Sequence, residues 1–117
     1  MSGLSNSGSE LIVPFSPELM QSLTVGHSSQ IMFKADEKHS GNWLSGISVY
    51  DWKEMPPTCT HERTEIMYVI SGKGNIILGD DILSVSSDMS VLIPPGTPHA
   101  ISCHEDADFI KLFWVQI

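Results

Sequence analysis

Positive charge is what this 117-residue chain has least of: six Lys and Arg stand against fourteen Asp and Glu, a formal net charge of −8. Nucleic acid and anionic membrane surfaces are gripped by basic patches, so neither is expected as a partner. Taken alone, the acidity implies solubility and nothing more specific. Cysteine is scarce as well, with only Cys59 and Cys103. The first ten residues are Ser/Gly-rich and carry neither the basic nor the apolar region of a secretory signal, so the two thiols are expected to be free. A Cys59–Cys103 bridge is the lesser alternative, and a cytoplasmic location is the default. No apolar run reaches the ~18 residues of a membrane-spanning helix. Helical periodicity is also missing after Ser22.

What is present is a dense alternation of short apolar runs and turn residues. Residues 1–10 read as a flexible arm and residues 11–117 as one domain, with apolar content of 41%, enough for a core. Pro14 and Pro17 limit residues 11–23 to at most one short helical turn. Strands are expected over 31–35 and 43–52, with Ser40-Gly41-Asn42 as the turn between them. Further runs follow at 66–70, 75–78, 82–85, 91–93, 99–103 and 109–117. Gly72-Lys73-Gly74, Gly79-Asp80-Asp81, Ser86-Ser87-Asp88 and Pro95-Gly96 punctuate them. Many short strands at close spacing predict an all-β sandwich or barrel with under ~15% helix.

The chemistry-bearing residues gather beside these turns. Cys59 and His61 lie two apart, so on an extended segment their side chains share a face. Glu65 has the same parity, or follows a turn at Glu62-Arg63, and either way it can point inward. Pro95-Gly96 suits a tight turn with Gly at positive φ, after which His99 opens a returning strand at a barrel rim. His61, Glu65 and His99 form a two-histidine, one-carboxylate set suited to Fe, Mn, Ni or Zn in the divalent state. The plain alternative is a hydrogen-bonded polar network without metal, although a glutamate inside an apolar barrel is costly without a cation or partner. Cys59 is either a fourth ligand, whose softness favours Zn, or a small thiol filling an imidazole's place. Cys103 is expected to pack in the interior. His27, His39 and His104 are expected at the surface. Arg63 and Lys111 are expected as solvated charges, with pairing to an anionic substrate as the alternative for either. Tyr50 and Met67 are the candidate walls of a substrate pocket.

These stretches resemble the two sequence motifs of the cupin superfamily. Glu65 followed by Gly72 matches the second half of the first motif, and its His-x-His pair falls on Cys59 and His61. The family's preceding glycine falls on Lys53. Pro94, Gly96 and His99 match the second motif, whose leading glycine falls on Asp88 and trailing asparagine on Cys103. The resemblance implies a double-stranded β-helix (jelly-roll) barrel, a divalent transition metal, a small-molecule ligand and a homodimer. Residues 11–15 would then cross to the partner and cover a sheet edge. It also implies metal-assisted chemistry of isomerase, cyclase, lyase or dioxygenase type, with Glu65 as ligand or general base. Two other classes stand against this reading: a non-catalytic ligand-binding or sensor module, favoured by the altered first ligand, and a thiol role for Cys59 beside His61.

Overall fold

Alternation of buried and exposed side chains builds the barrel. In the computed structural model, which describes residues 11–35 and 41–117, the run from Glu65 to Ile70 alternates strictly, with Glu65, Met67 and Val69 inside and Ile66, Tyr68 and Ile70 outside. The same period recurs near the end of the chain, where Ile110, Leu112 and Trp114 are buried. An all-β antiparallel barrel results, as the strand and turn pattern implies. Its helical content among the described residues is one 3-10 turn, Pro17–Leu19, where Pro17 allows it.

Eight strands follow: β1 (Gln21–Thr24), β2 (His27–Lys34), β3 (Leu44–Tyr50), β4 (Glu65–Leu78), β5 (Asp81–Ser86), β6 (Ser90–Ile93), β7 (His99–Cys103) and β8 (Ile110–Gln116). One sheet runs β1-β2-β3-β8-β4-β6, and the other runs β5-β4-β7, every pairing antiparallel. β4 belongs to both. Its residues 65–72 pair with β8, and residues 73–78 pair with β5 and β7. The core lies between the sheets, where Val69, Ile76, Ile93, Ile110 and Leu112 are almost wholly removed from water. Each such side chain contributes about 1.5–3 kcal/mol by burial.

Three expectations change. Gly72-Lys73-Gly74 is not a turn but the middle of β4. Gly72 holds φ 91°, and a Cβ there would lie 2.2 Å from Phe109 O. The strand bends at this glycine as it passes from one sheet to the other, a use of glycine that sequence alone does not separate from a turn. The second change is β1, an edge strand exposed along its whole length and so without the alternation that marks a strand in sequence. The third is the start of β2 at His27, four residues before the expected strand. The arm at residues 1–10, His39, and Ser40 of the expected turn lie outside the described residues.

Pro17–Leu19 is also too short to cross a membrane, and no other helix occurs among the described residues.

Candidate metal centre

Three backbone hydrogen bonds bring the two motifs together. The segment from 51 to 64 forms no strand, but Cys59 and His99 make a two-bond antiparallel bridge: Cys59 N–H donates to His99 O and His99 N–H to Cys59 O, each at 3.0 Å. Two residues on, Gly96 N–H donates to His61 O at 2.8 Å. Gly96 reaches that oxygen with φ 72°, the left-handed turn expected of Pro95-Gly96. Asp88, which stands where the family pattern has glycine, likewise holds φ 71°. Glu65 enters from the first residue of β4, paired with Ile93 on one side and Gln116 on the other.

Ligand atoms of His61, Glu65 and His99 lie within 4.8 Å of one another. Glu65 and His99 are buried and His61 is half-buried. His61 Nδ1 lies 2.8 Å from Arg63 O, and His99 Nδ1 lies 3.0 Å from Thr97 O. A carbonyl oxygen only accepts, so each ring presents an N–H at Nδ1 and turns Nε2 toward the cluster. His61 Nε2 is 2.8 Å from Glu65 Oε1, and Gln116 Nε2 donates to that same oxygen at 3.1 Å. The rings of His61 and His99 meet edge to face, centroids 4.8 Å apart. At 2.8 Å, His61 Nε2 and Glu65 Oε1 share either a proton or a cation, and two imidazole nitrogens with a carboxylate are donors that transition metals accept. The donor set therefore fits a divalent cation, with each histidine oriented by a carbonyl behind it. Donors about 2.1 Å from one ion stand roughly 3.0–3.4 Å apart, so closing the set requires only small side-chain rotations.

Cys59 Sγ lies 3.7 Å from His99 Nε2 but outside the three-residue cluster, with its residue exposed. Both thiols are free, and Cys103 is buried as expected. Lys53 Nζ stands 3.4 Å from Cys103 Sγ and donates to the carbonyls of His104 and Ala107.

Beside the cluster opens a cavity of about 320 Å³, at the lower end for small-molecule sites. Tyr50 and Met67 both line it, and so do Cys59, Gln116, Trp52 and Trp114. Gly46 makes room for one wall: a Cβ there would lie 2.4 Å from Trp114 Cζ2. Burial, then the charge of Glu65, push the Tyr50 phenol far above its ordinary value, so it remains a hydrogen-bond donor.

His27 corrects the sequence reading. Half-buried, it lines the cavity and stacks on Tyr50 with centroids 4.1 Å apart. Burial pulls its pKa below the usual histidine range. No motif marks it, and only the pairing of β2 with β3, which sets His27 opposite Tyr50, brings it to the cavity. Gln116 was more legible, sharing the inward parity of Leu112 and Trp114. Arg63 is tied to Asn42 O and Oδ1, and Lys111 lies over the Phe15 ring at 3.8 Å, so neither faces the cavity.

This barrel with histidines and a carboxylate at one end is that of the cupins. The Cupin_2 cupin-domain model matches residues 47–115, more than half of the sequence, and the chain belongs to that family. No curated protein matches it. Among solved structures, it is similar to KdgF from Halomonas sp., at 17% identity and TM-score 0.68 over 83% of this chain and 84% of that one. It is also similar to the Cnp3 cupin domain of Schizosaccharomyces pombe, at 13% identity and TM-score 0.71 over 89% and 72%. Iron(II) HppE aligns at 14% identity and TM-score 0.76, over 91% of this chain and 60% of that one. Identities this low establish the shared fold alone.

Proposed function

We propose that residues 11–117 form one cupin domain acting as a metal-dependent small-molecule enzyme. His61 and His99 would each hold one divalent transition cation (Zn, Fe, Mn or Ni) through Nε2, and Glu65 through its carboxylate. The observation that carries this reading is the convergence of His61, Glu65 and His99 ligand atoms within 4.8 Å of one another, each ring oriented by a backbone carbonyl. Bound there, the cation supplies Lewis acidity toward a substrate oxygen. Gln116 fixes the Glu65 oxygen, and the carbonyls of Arg63 and Thr97 fix the two rings. Trp52, Met67, Ile76 and Trp114 give the adjoining cavity apolar walls, and the un-ionised Tyr50 offers a proton-donating hydroxyl. Glu65 is the residue placed to accept a substrate proton when it is not engaged as a ligand. Isomerase, cyclase, lyase and dioxygenase chemistries are all compatible with such a site.

Metal analysis of freshly purified protein, before and after chelator treatment, tests the proposal. One equivalent of metal is expected, and His61→Ala and His99→Ala should each abolish it with the barrel intact. If the protein carries no metal and takes up none of the four on reconstitution, the enzyme reading fails. A non-catalytic ligand-binding module then replaces it, a reading favoured by Glu65 being the only carboxylate among the described cavity-lining residues. A homodimer is part of the proposal, and its surface is considered in the Discussion.

A further inference from the structure

The cavity walls say what kind of molecule reaches the site. Resting on the metal-site reading, we infer that the ligand is a small neutral molecule with an apolar body. It presents one or two hydroxyl or carbonyl oxygens to the His61/Glu65/His99 cluster and one uncharged polar group to His27, and an anionic group away from the cluster is rejected.

The first support is the placement of positive charge. No Lys or Arg lines the cavity among the described residues. Lys53 is committed to the Cys103–Ala107 turn, Arg63 to Asn42, and Lys111 to the Phe15 ring. Lys34 and Lys73 are exposed, and Lys38 lies outside the described residues. The remaining cation candidate on the wall is His27, which burial favours in its neutral form. A carboxylate or phosphate away from the cluster would thus lose water, find no counter-charge and face the buried Glu65.

The second support is the polar wall of β2 and β3. His27 pairs with Tyr50 and Ser29 with Ser48 across the two strands, and all four line the cavity. The serines satisfy each other: Trp114 Nε1 donates to Ser48 Oγ at 2.9 Å, Ser48 Oγ to Ser29 Oγ at 3.0 Å, and Ser29 Oγ to Ile47 O at 3.2 Å. That chain ends on a backbone carbonyl and has no proton left for a ligand. His27 Nε2, by contrast, is buried without any partner. A buried nitrogen left unpaired is costly, and a small ligand group would satisfy it once the imidazole, now packed against Tyr50 and Trp52, turns toward the cavity. A neutral imidazole suits a hydroxyl or carbonyl, being donor on one nitrogen and acceptor on the other.

Three probes that differ at one substituent separate the possibilities: 4-methylcatechol, 4-(hydroxymethyl)catechol and 3,4-dihydroxybenzoate. Each is titrated calorimetrically into zinc-loaded protein whose metal content is measured on the same sample. The hydroxymethyl compound should bind best, and the carboxylate about 100-fold more weakly than the methyl compound, as expected for an uncompensated buried charge. In His27→Phe, which preserves the stack on Tyr50, the hydroxymethyl preference over methyl should vanish while methyl binding is retained. His27→Gln, which keeps a donor and an acceptor, should restore part of it. Equal binding of all three, no binding at millimolar concentration, or an unchanged preference in His27→Phe overturns the inference while leaving the metal site standing. If the protein takes up no metal, the proposed function fails separately. The three probes then decide the ligand inference on metal-free protein by the same criteria.

Discussion

Gln116 is the side chain that most directly shapes the chemistry of Glu65, because it donates to the oxygen that also meets His61. Gln116→Leu keeps the volume and removes the donor. Metal affinity, measured by chelator competition, should fall about 10–100-fold, the usual effect of losing a group that orients a ligand. Cys59 poses a sharper question, since its sulfur approaches His99 Nε2 while lying outside the cluster. Cys59→Ser should leave metal content unchanged, and the wild-type thiol should be alkylated at similar rates with and without metal. Protection by metal would instead make the thiolate a fourth ligand. His27 gives the protein an acid sensitivity of its own. Its folded pKa lies below the ordinary value of about 6.5, so below that pH the unfolded chain takes up a proton that the folded protein resists. The folded state therefore loses stability as pH falls from about 6.5 toward the depressed folded pKa. Melting temperatures of metal-free protein at pH 7 and pH 5 should differ less in His27→Phe than in the wild type. The motif residues were legible in the sequence because their types and spacing are those of ligands. His27 was not, because its role comes from strand pairing across to Tyr50.

At the scale of elements, β8 and β4 carry the barrel. Leu112 is wholly buried between them and the opposite sheet, and Leu112→Ala should cost about 2–5 kcal/mol in urea unfolding. Gly46→Ala tests a different contact, since its Cβ would press on the Trp114 indole and on Gln30 O, 2.7 Å away. Both stability and cavity binding should fall together, because Trp114 is core and cavity wall at once. Most strands could be read from period-two alternation, which is strongest where one face is buried. β1 could not, because all four of its residues are exposed and it has no buried face to write a pattern. The bend at Gly72 was equally hidden, since a glycine demanded by the close approach of Phe109 O looks in sequence like one demanded by a turn.

Across the whole molecule, the outer face of the larger sheet leaves Ile66, Tyr68, Leu92 and Phe113 exposed. Ile66 opposes Leu92, and Tyr68 opposes Phe113, so the four form one patch over β6, β4 and β8. Its apolar character suits the proposed homodimer better than residues 11–15 do, because Gln30 ties Pro14 O and Ser16 N to the chain's own barrel. Light scattering should report a dimer at tens of micromolar, and Leu92→Lys should shift it toward monomer without changing metal content. The central place of β8 has a further consequence, for synthesis. β8 is the last strand in sequence, yet it sits between β3 and β4, which are made long before it. On the ribosome those two strands wait unpaired on their inner edges until residues 110–116 emerge. Gln116 arrives with that strand, so the buried carboxylate of Glu65 gains its donor only when the strand docks. His61 and Glu65 stand four residues apart before that strand docks, and the barrel closes beside them only when it does.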